Sequence, residues 1–373
     1  MPTPLYLDPR SGRTWPLTPP RWQAEDGAPL LLTEMPGIAP EEIERGTRSL
    51  WRYRAALPPL AGAPITLGEG CTPLLAHPIA GAEALVKCEW LMPSGSFKDR
   101  GASVMLSLLR AQGIMEVLED SSGNGGAAIA AYAAAGGMRA TIMVPAATSP
   151  AKTVQARAAG AAIELVPGTR QDCAEAALRA AARIFYASHN WHPFFLQGTK
   201  TLAYELWEDL GWQAPDNVIL PCGAGSNVLG CGIGFAELLR AGQIERLPRI
   251  FAAQPAHCAP IARAFLGLDP APARPTIAEG TAIAAPIRLR ECLGVLRQTQ
   301  GGAVMLEEPE IAAATLALAR GGIYVEPTSA QAAAAFAKLL QAGTIGPRER
   351  TVVVLTGSGL KATARIAELL EAG

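Results

Sequence analysis

The sequence predicts an α/β protein of two domains, with mostly parallel sheets covered by helices on both faces. Three observations carry that prediction. From about Ala84 onward, short β-rich runs alternate with alanine-rich helical runs, the order of strand, helix, strand that builds a parallel sheet. The strand runs are continuously apolar instead of alternating, as strands buried on both faces are. The helical runs stop at glycines placed where a left-handed residue closes a helix.

Residues 1–45 are rich in proline and polar turn formers, which predicts an irregular N-terminal extension laid over the body. The strand candidates follow as ALVKCEW, MEVLED, RATIMVP, AAIELVP, NVILPCG, RIFAAQP, AVMLEE and TVVVLTG. Between them, VMLSLLRAQG, AKTVQARAAG, GFAELLRAG and AFAKLLQAG read as helices ending in Gly113, Gly160, Gly242 and Gly343. A smaller α/β domain over 95–190 is expected inside a larger one made of 46–94 and 191–373. Loops at the C-terminal ends of the strands are then the places for chemistry.

The composition narrows that chemistry. The 373 residues are 49% hydrophobic and 17% charged with a formal net charge of -1, so no basic surface for nucleic acid and no electrostatic membrane anchor is indicated. The partner expected is a small molecule. Cys71, Cys88, Cys173, Cys222, Cys231, Cys258 and Cys292 are odd in number and form no C-x-x-C pair, which suits reduced core residues better than a disulfide framework or a zinc site. No metal site is expected. The N-terminus lacks a basic region followed by an apolar core, so the expected location is cytoplasmic. The most apolar window, GGAAIAAYAAAGG, is too short to span a bilayer.

SGSFKDRG, at Ser94 to Gly101, is the first chemical signal. Ser96 is placed to cap the following helix, with Asp99 as the capping-box acid and Phe97, Val104, Met105, Leu108 and Leu109 on one apolar face. Lys98 then lies in the first turn, where the helix dipole disfavours a cation by roughly 0.3–1 kcal/mol. An amine pushed toward its neutral form is a nucleophile, able to join an aldehyde and to move a proton. The chain has only five other lysines, Lys87, Lys152, Lys200, Lys338 and Lys361. On this stretch alone, a lysine that merely extends its head to solvent from a helix end is as good a reading.

Two glycine-rich turns follow strands. In EDSSGNGGAAIAAY, the amides and hydroxyls of Ser121, Ser122 and Gly123 can hold a carboxylate and Asn124 can bond a ring hydroxyl. In NVILPCGAGSNVLG, Gly223, Ala224, Gly225, Ser226 and Asn227 form a second strand-to-helix turn suited to phosphate. G-x-G-x-x-G fails because Val228 stands at the third glycine, and no lysine follows to make a P-loop. Without dinucleotide or P-loop spacing, a smaller phosphorylated ligand is expected. TVVVLTGSG ends a buried strand at Thr356, whose neutral hydroxyl can meet a heterocyclic nitrogen; Gly357, Ser358 and Gly359 follow. Each turn taken alone is also an ordinary turn.

Together, KCEWLMPSGSFKDRG, SSGNGGAAIAAYAAAGG, PCGAGSN and VVVLTGSGLK resemble, in order, the motifs of the threonine synthase family, fold type II pyridoxal-phosphate enzymes similar to the tryptophan synthase β chain. GEGCTPL at Gly68 to Leu74 and EPTSAQAAAA at Glu326 to Ala335 add to the likeness. The resemblance implies that pyridoxal 5'-phosphate is carried on Lys98, with Asn124 at its 3-hydroxyl. Gly223, Ala224, Gly225, Ser226 and Asn227 would hold its phosphate, Thr356 would face its ring nitrogen, and Ser121, Ser122 and Gly123 would take the substrate carboxylate. It implies an amino-acid substrate, a lyase reaction beginning with α-proton removal, and a homodimer. Phosphohomoserine to threonine is the family default; dehydration of a threonine- or serine-like amino acid is the alternative. Aligning Gly198, Lys200 and Thr201 puts Phe195 where the family carries an arginine for the substrate phosphate, and Met92 and Gly125 replace a common asparagine and threonine. Arg157, Arg170 and Arg288 are the candidates to supply the missing charge, and His189, Trp191 and His192 to shape a different pocket.

Overall fold

Each apolar run marked as a strand becomes one. In the computed structural model, which describes residues 3–371, the first half of the chain forms β1 (Tyr6–Leu7), β2 (Thr14–Trp15), β3 (Leu31–Leu32), β4 (Leu74–Ile79), β5 (Ala82–Cys88), α1 (Lys98–Ala111), β6 (Glu116–Glu119), α2 (Asn124–Ala135), β7 (Arg139–Pro145), α3 (Pro150–Ala158), β8 (Ala162–Val166), α4 (Arg170–Ala180) and β9 (Phe185–Tyr186). The second half forms α5 (Pro193–Thr199), α6 (Thr201–Asp209), β10 (Asn217–Pro221), α7 (Ser226–Arg240), β11 (Arg249–Pro255), α8 (Pro260–Phe265), α9 (Leu289–Gln298), β12 (Gly302–Leu306), α10 (Glu308–Arg320), α11 (Pro327–Gln341), β13 (Thr351–Leu355) and α12 (Thr363–Glu371). Gly113, Gly160, Gly242 and Gly343 all have positive φ just past α1, α3, α7 and α11, as helix-closing glycines should. Among the described residues no helix is long and apolar enough to cross a membrane.

The chain divides into two compact units, Met1–Gly70 with Lys98–Thr201 and Cys71–Phe97 with Leu202–Gly373. The sequence reading puts 46–70 with the larger domain; in the structure they belong to the first unit. The reason is a polar seam on α1. Ser107 accepts a bond from the Ile65 amide at 2.8 Å, and the Ser103 hydroxyl oxygen lies 2.7 Å from the Ile65 carbonyl and 2.6 Å from Glu69, both within reach of its one hydrogen. Tyr132 donates to the other oxygen of Glu69 at 2.8 Å. A buried carboxylate must be satisfied this way, so Glu69 pins the segment to α1 and α2.

The first unit holds the parallel sheet β8-β7-β6-β9 and a small antiparallel sheet β2-β1-β3. The N-terminal segment is thus not wholly irregular. Tyr6 and Leu30 are sealed into the unit's core beside Phe194 and Leu106. Helix α1 is buried on every side, Asp99, Arg100, Ser103 and Ser107 included, rather than on one apolar face. Its expected cap is also corrected: the helix starts at Lys98, and the Ser96 hydroxyl is sealed with no partner because its backbone is drawn into a bridge with Gly357.

The second unit is built on the sheet β12-β11-β10-β13-β5-β4, parallel except for the edge strand β4. β13 lies between β10 and β5, pairing Asn217 with Thr351 and Leu85 with Val352. Every residue of β10 and β13 is buried, as a central parallel strand requires. The alanines of α11 let that helix lie close on the sheet, with Ala330, Ala332 and Ala335 in one core with Ile219 and Val353. In β4, Pro78 sits on a sheet edge, where a missing N–H costs no ladder bond.

Candidate active site

The six lysines separate by environment. Lys87 is sealed in the second unit, with its amine 2.7 Å from both Glu205 and Asp209 and 2.6 Å from the Thr72 carbonyl. Lys200 is fully buried beside Met35, and Lys338 pairs with Glu310 at 2.9 Å. Lys98 is half-buried at the first position of α1, with its amine 5.7 Å from the centroid of the Phe195 ring. Backbone contact between α1 and α5 puts the ring there. A Cβ on Gly101 would lie 2.4 Å from Phe195, and one on Gly198 would lie 2.0 Å from the Arg100 carbonyl oxygen. These glycines are required by close approach.

Ser121, Ser122 and Gly123 form the loop between β6 and α2 in the same unit. Gly123 is the N-cap residue and α2 has no side-chain cap, and a helix start is where an anion is stabilised. Ser121 is buried, Ser122 and Asn124 are half-buried and Gly123 is exposed. The loop is held tight from within, since a Cβ on Gly126 would meet the Ser121 carbonyl at 2.0 Å.

Behind this loop lies a group of titratable residues. Glu119, at the end of β6, accepts from the His189 backbone at 3.0 Å, from the Asp120 backbone at 3.1 Å and meets His189 Nδ1 at 2.9 Å. Burial raises the Glu119 carboxyl to about 7. Burial, helped by the positive charges of Lys98 and Arg170, holds His189 well below its usual value and keeps it neutral. Tyr186 donates to Asp120 at 2.8 Å. His189 and Phe195 lie edge to face, 5.8 Å between ring centroids. Arg170 is half-buried near these acids, whereas Arg157 is exposed on α3.

In the second unit, β10 runs into Cys222 and the turn Gly223-Ala224-Gly225 before α7. Gly225 has φ +92°, and a Cβ there would lie 2.1 Å from Cys292 Sγ. A Cβ on Gly223 would lie 3.1 Å from the Thr281 backbone and 3.3 Å from the Gly280 carbonyl. That support is fixed in turn: Thr281 accepts from Gln331 at 2.8 Å, and the Gly280 amide donates to Thr328 at 3.0 Å. Helix α7 also lacks a side-chain cap, and Asn227, 3% exposed, has both side-chain polar atoms sealed with no partner. A buried amide without partners is costly. An uncapped helix start beside an unsatisfied amide fits a phosphate group. Arg288, the third charge candidate, is 1% exposed beside Cys292 and Glu291, where burial lowers it to about 10.

Thr356 ends β13 at 2% exposure. Its hydroxyl is 3.1 Å from Ser329 Oγ, which also accepts from the Thr356 and Gly357 amides at 3.0 and 2.6 Å. The Phe97 amide donates to the Thr356 carbonyl at 3.0 Å, so the residue preceding Lys98 is tied to the Thr356 turn. Sequence reasoning did not single out Ser329; its only signal was its place in EPTSAQ. The sites are therefore gathered in two groups: Lys98 with Ser121, Ser122, Gly123 and Asn124 in the first unit, and Gly223, Ala224, Gly225, Ser226 and Asn227 with Thr356 in the second.

Comparison with known proteins agrees with this chemistry. The chain is 34% identical over 337 residues to the threonine synthase of Methanocaldococcus jannaschii, covering 87% of this chain and 83% of that protein. It is 33% identical over 344 residues to the threonine synthase of Methanosarcina acetivorans, covering 89% and 84%. In fold it is similar to an L-serine ammonia-lyase from the fungus Rhizomucor miehei, with TM-score 0.71, 21% identity and coverage of 83% of this chain and 99% of that one. It is also similar to the processed form of threonine deaminase isoform 2 from Solanum lycopersicum, with TM-score 0.68, 22% identity and coverage of 81% and 84%. With the model for pyridoxal-phosphate dependent enzymes matching residues 65–357, the chain belongs to that family.

Proposed function

We propose that the chain removes the α-proton of a small amino acid and then expels a substituent from the β or γ carbon, as a lyase of the kind its threonine synthase relatives suggest. The observation that carries this is the pair of uncapped helix starts, Gly123 before α2 and Gly225 before α7, the second beside the unsatisfied Asn227. When bound, pyridoxal phosphate supplies an electron sink for the charge left on the α-carbon. Lys98 would hold the cofactor and receive the α-proton at Nζ. Asn124 would bond the 3-hydroxyl, and Gly223, Ala224, Gly225, Ser226 and Asn227 the phosphate. Thr356, its hydroxyl oriented by Ser329, would meet the ring nitrogen as a neutral partner. Ser121, Ser122 and Gly123 would fix the substrate carboxylate.

Phe195 favours one member of this reaction class. It is fully buried and stands over the Lys98 amine, and a phenyl ring forgoes the roughly 1.5–3 kcal/mol that a charge-assisted bond to phosphate brings. We therefore favour an unphosphorylated hydroxy amino acid, which loses its β-hydroxyl as water, regains one water and leaves a keto acid and ammonia. A cytoplasmic homodimer is the assembly we propose; seven cysteines without a disulfide among them suit that compartment.

Protein mixed with pyridoxal phosphate should show a visible absorption band that Lys98→Ala abolishes, and borohydride should label Lys98 on peptide mapping. Serine and threonine should then yield keto acid and ammonia. Release of phosphate and threonine from O-phosphohomoserine instead would return the chain to the threonine synthase reaction.

A further inference from the structure

Gly125 and His189 are one packing decision. A Cβ on Gly125 would lie 2.8 Å from both Cε1 and Nδ1 of the imidazole and 3.0 Å from Ser121 Oγ, so the ring occupies the space that a side chain at 125 would take. His189 thus forms part of the wall of the Ser121–Asn124 loop, the asparagine loop, packed against Gly125, the residue that follows Asn124. Its orientation is fixed from behind, because Glu119 holds both its backbone amide and its Nδ1. Two backbone N–H groups already donate to that carboxylate. With Glu119 ionised, Nδ1 carries the hydrogen as a third donor and Nε2 is left with its lone pair. Among the described residues Nε2 makes no hydrogen bond, and it is not among the atoms sealed from solvent. The ring is otherwise enclosed, its side chain 7% exposed.

We propose that His189, positioned by Glu119, selects the substrate by accepting a hydrogen bond from a neutral side-chain hydroxyl at Nε2 and by rejecting a phosphorylated one. This rests on the reading of Lys98 and the asparagine loop given above. The discrimination is elementary. A hydroxyl has a hydrogen to give to a lone pair, whereas an ionised phosphate presents only lone pairs and negative charge to an acceptor backed by a carboxylate. The ligand class is a small amino acid with a free hydroxyl on its side chain. The charges facing the ring are Lys98 from α1, Arg170 from α4 and Asp120 from the loop after β6. The first two disfavour an imidazolium that would otherwise attract phosphate.

The test uses the full chain with its cofactor at about pH 8, where Glu119 is ionised. Long-range proton–nitrogen NMR of the four histidines should show His189 with its hydrogen on Nδ1. An Nε2–H or doubly protonated ring would overturn the proposal without any assay of turnover. His189→Phe keeps the ring volume and removes the acceptor, and should lower kcat/KM for threonine and serine about tenfold, mainly through KM. His189→Asn, whose amide can turn a donor outward, should raise O-phosphohomoserine binding about tenfold relative to threonine. Glu119→Gln, which unpins Nδ1, should narrow the same substrate ratio. If the visible band forms but none of the three variants moves that ratio by more than about twofold, His189 is only packing and the proposed reaction class stands. If the band never forms, the reaction class itself fails.

Discussion

Gly225→Ala probes the phosphate turn at its tightest point. The residue sits at φ +92° and ψ 9° as the N-cap of α7, a conformation that costs a non-glycine residue about 1–2 kcal/mol. The added methyl would also lie 2.1 Å from Cys292 Sγ, where 3.4–4 Å is ordinary contact, and overpacking of this kind costs about 1–3 kcal/mol more. The variant should therefore lose about 2–5 kcal/mol in urea unfolding. The two terms are separable. Cys292→Ala removes the clashing sulfur, so Gly225→Ala/Cys292→Ala should cost less than the sum of the singles by about 1–3 kcal/mol, leaving the backbone term. Strictly additive losses, or a Gly225→Ala protein as stable as wild type, would refute the reasoning that the turn is glycine because of Cys292 and its own backbone angle.

Other outcomes follow from the same geometry. Ser329→Ala leaves the buried Thr356 and Gly357 amides without their acceptor and should cost about 1–3 kcal/mol per group in thermal or urea unfolding. Lys87→Met takes the cation away from the buried Glu205 and the partly exposed Asp209 and should destabilise by about 3–5 kcal/mol, with the Lys98-dependent visible band retained in whatever fraction folds. Glu119 has its folded carboxyl raised from 4.5 to about 7 by burial, so between those values the folded chain holds a proton that the unfolded chain has released. Its contribution is present at the acid end and falls as pH rises through that window. Glu119→Gln should therefore gain stability relative to wild type between about pH 5 and about pH 7.5, by up to about 3 kcal/mol, read from urea midpoints at each pH; a difference independent of pH would sink this assignment.

The parallel core was legible because burial on both faces writes itself as continuous apolar runs, and β5 through β13 include all eight runs read as strands. The two-residue β9 and the edge strand β4 were not, since two residues carry no periodicity and LLAHPI mixes histidine and proline into its pattern. Lys98 was legible as the start of a helix. The role of Ser96 was not, because the bridge to Gly357 is made by backbone across more than 250 residues of sequence, and a local capping rule has no access to it. Gly125 and His189 illustrate the same limit. Gly125 looked like a departure from a family pattern and His189 like one of three rings shaping a pocket, and only their shared space ties the two residues together. Glu69 likewise reads as one acid in a turn until Ser103 and Tyr132 converge on it.

The position of β13 constrains how the second unit is made. β5 ends at Cys88, yet its parallel neighbour is a strand at 351–355, which also joins it to β10. All the chain between β5 and β13 must therefore be made before that sheet can close, and until then the hairpin of β4 and β5 has one flank unsatisfied. Long-range parallel pairing of this kind is slow and exposed to misassociation, so the folded yield should rise when chaperone is added, and an unchanged yield would count against this account.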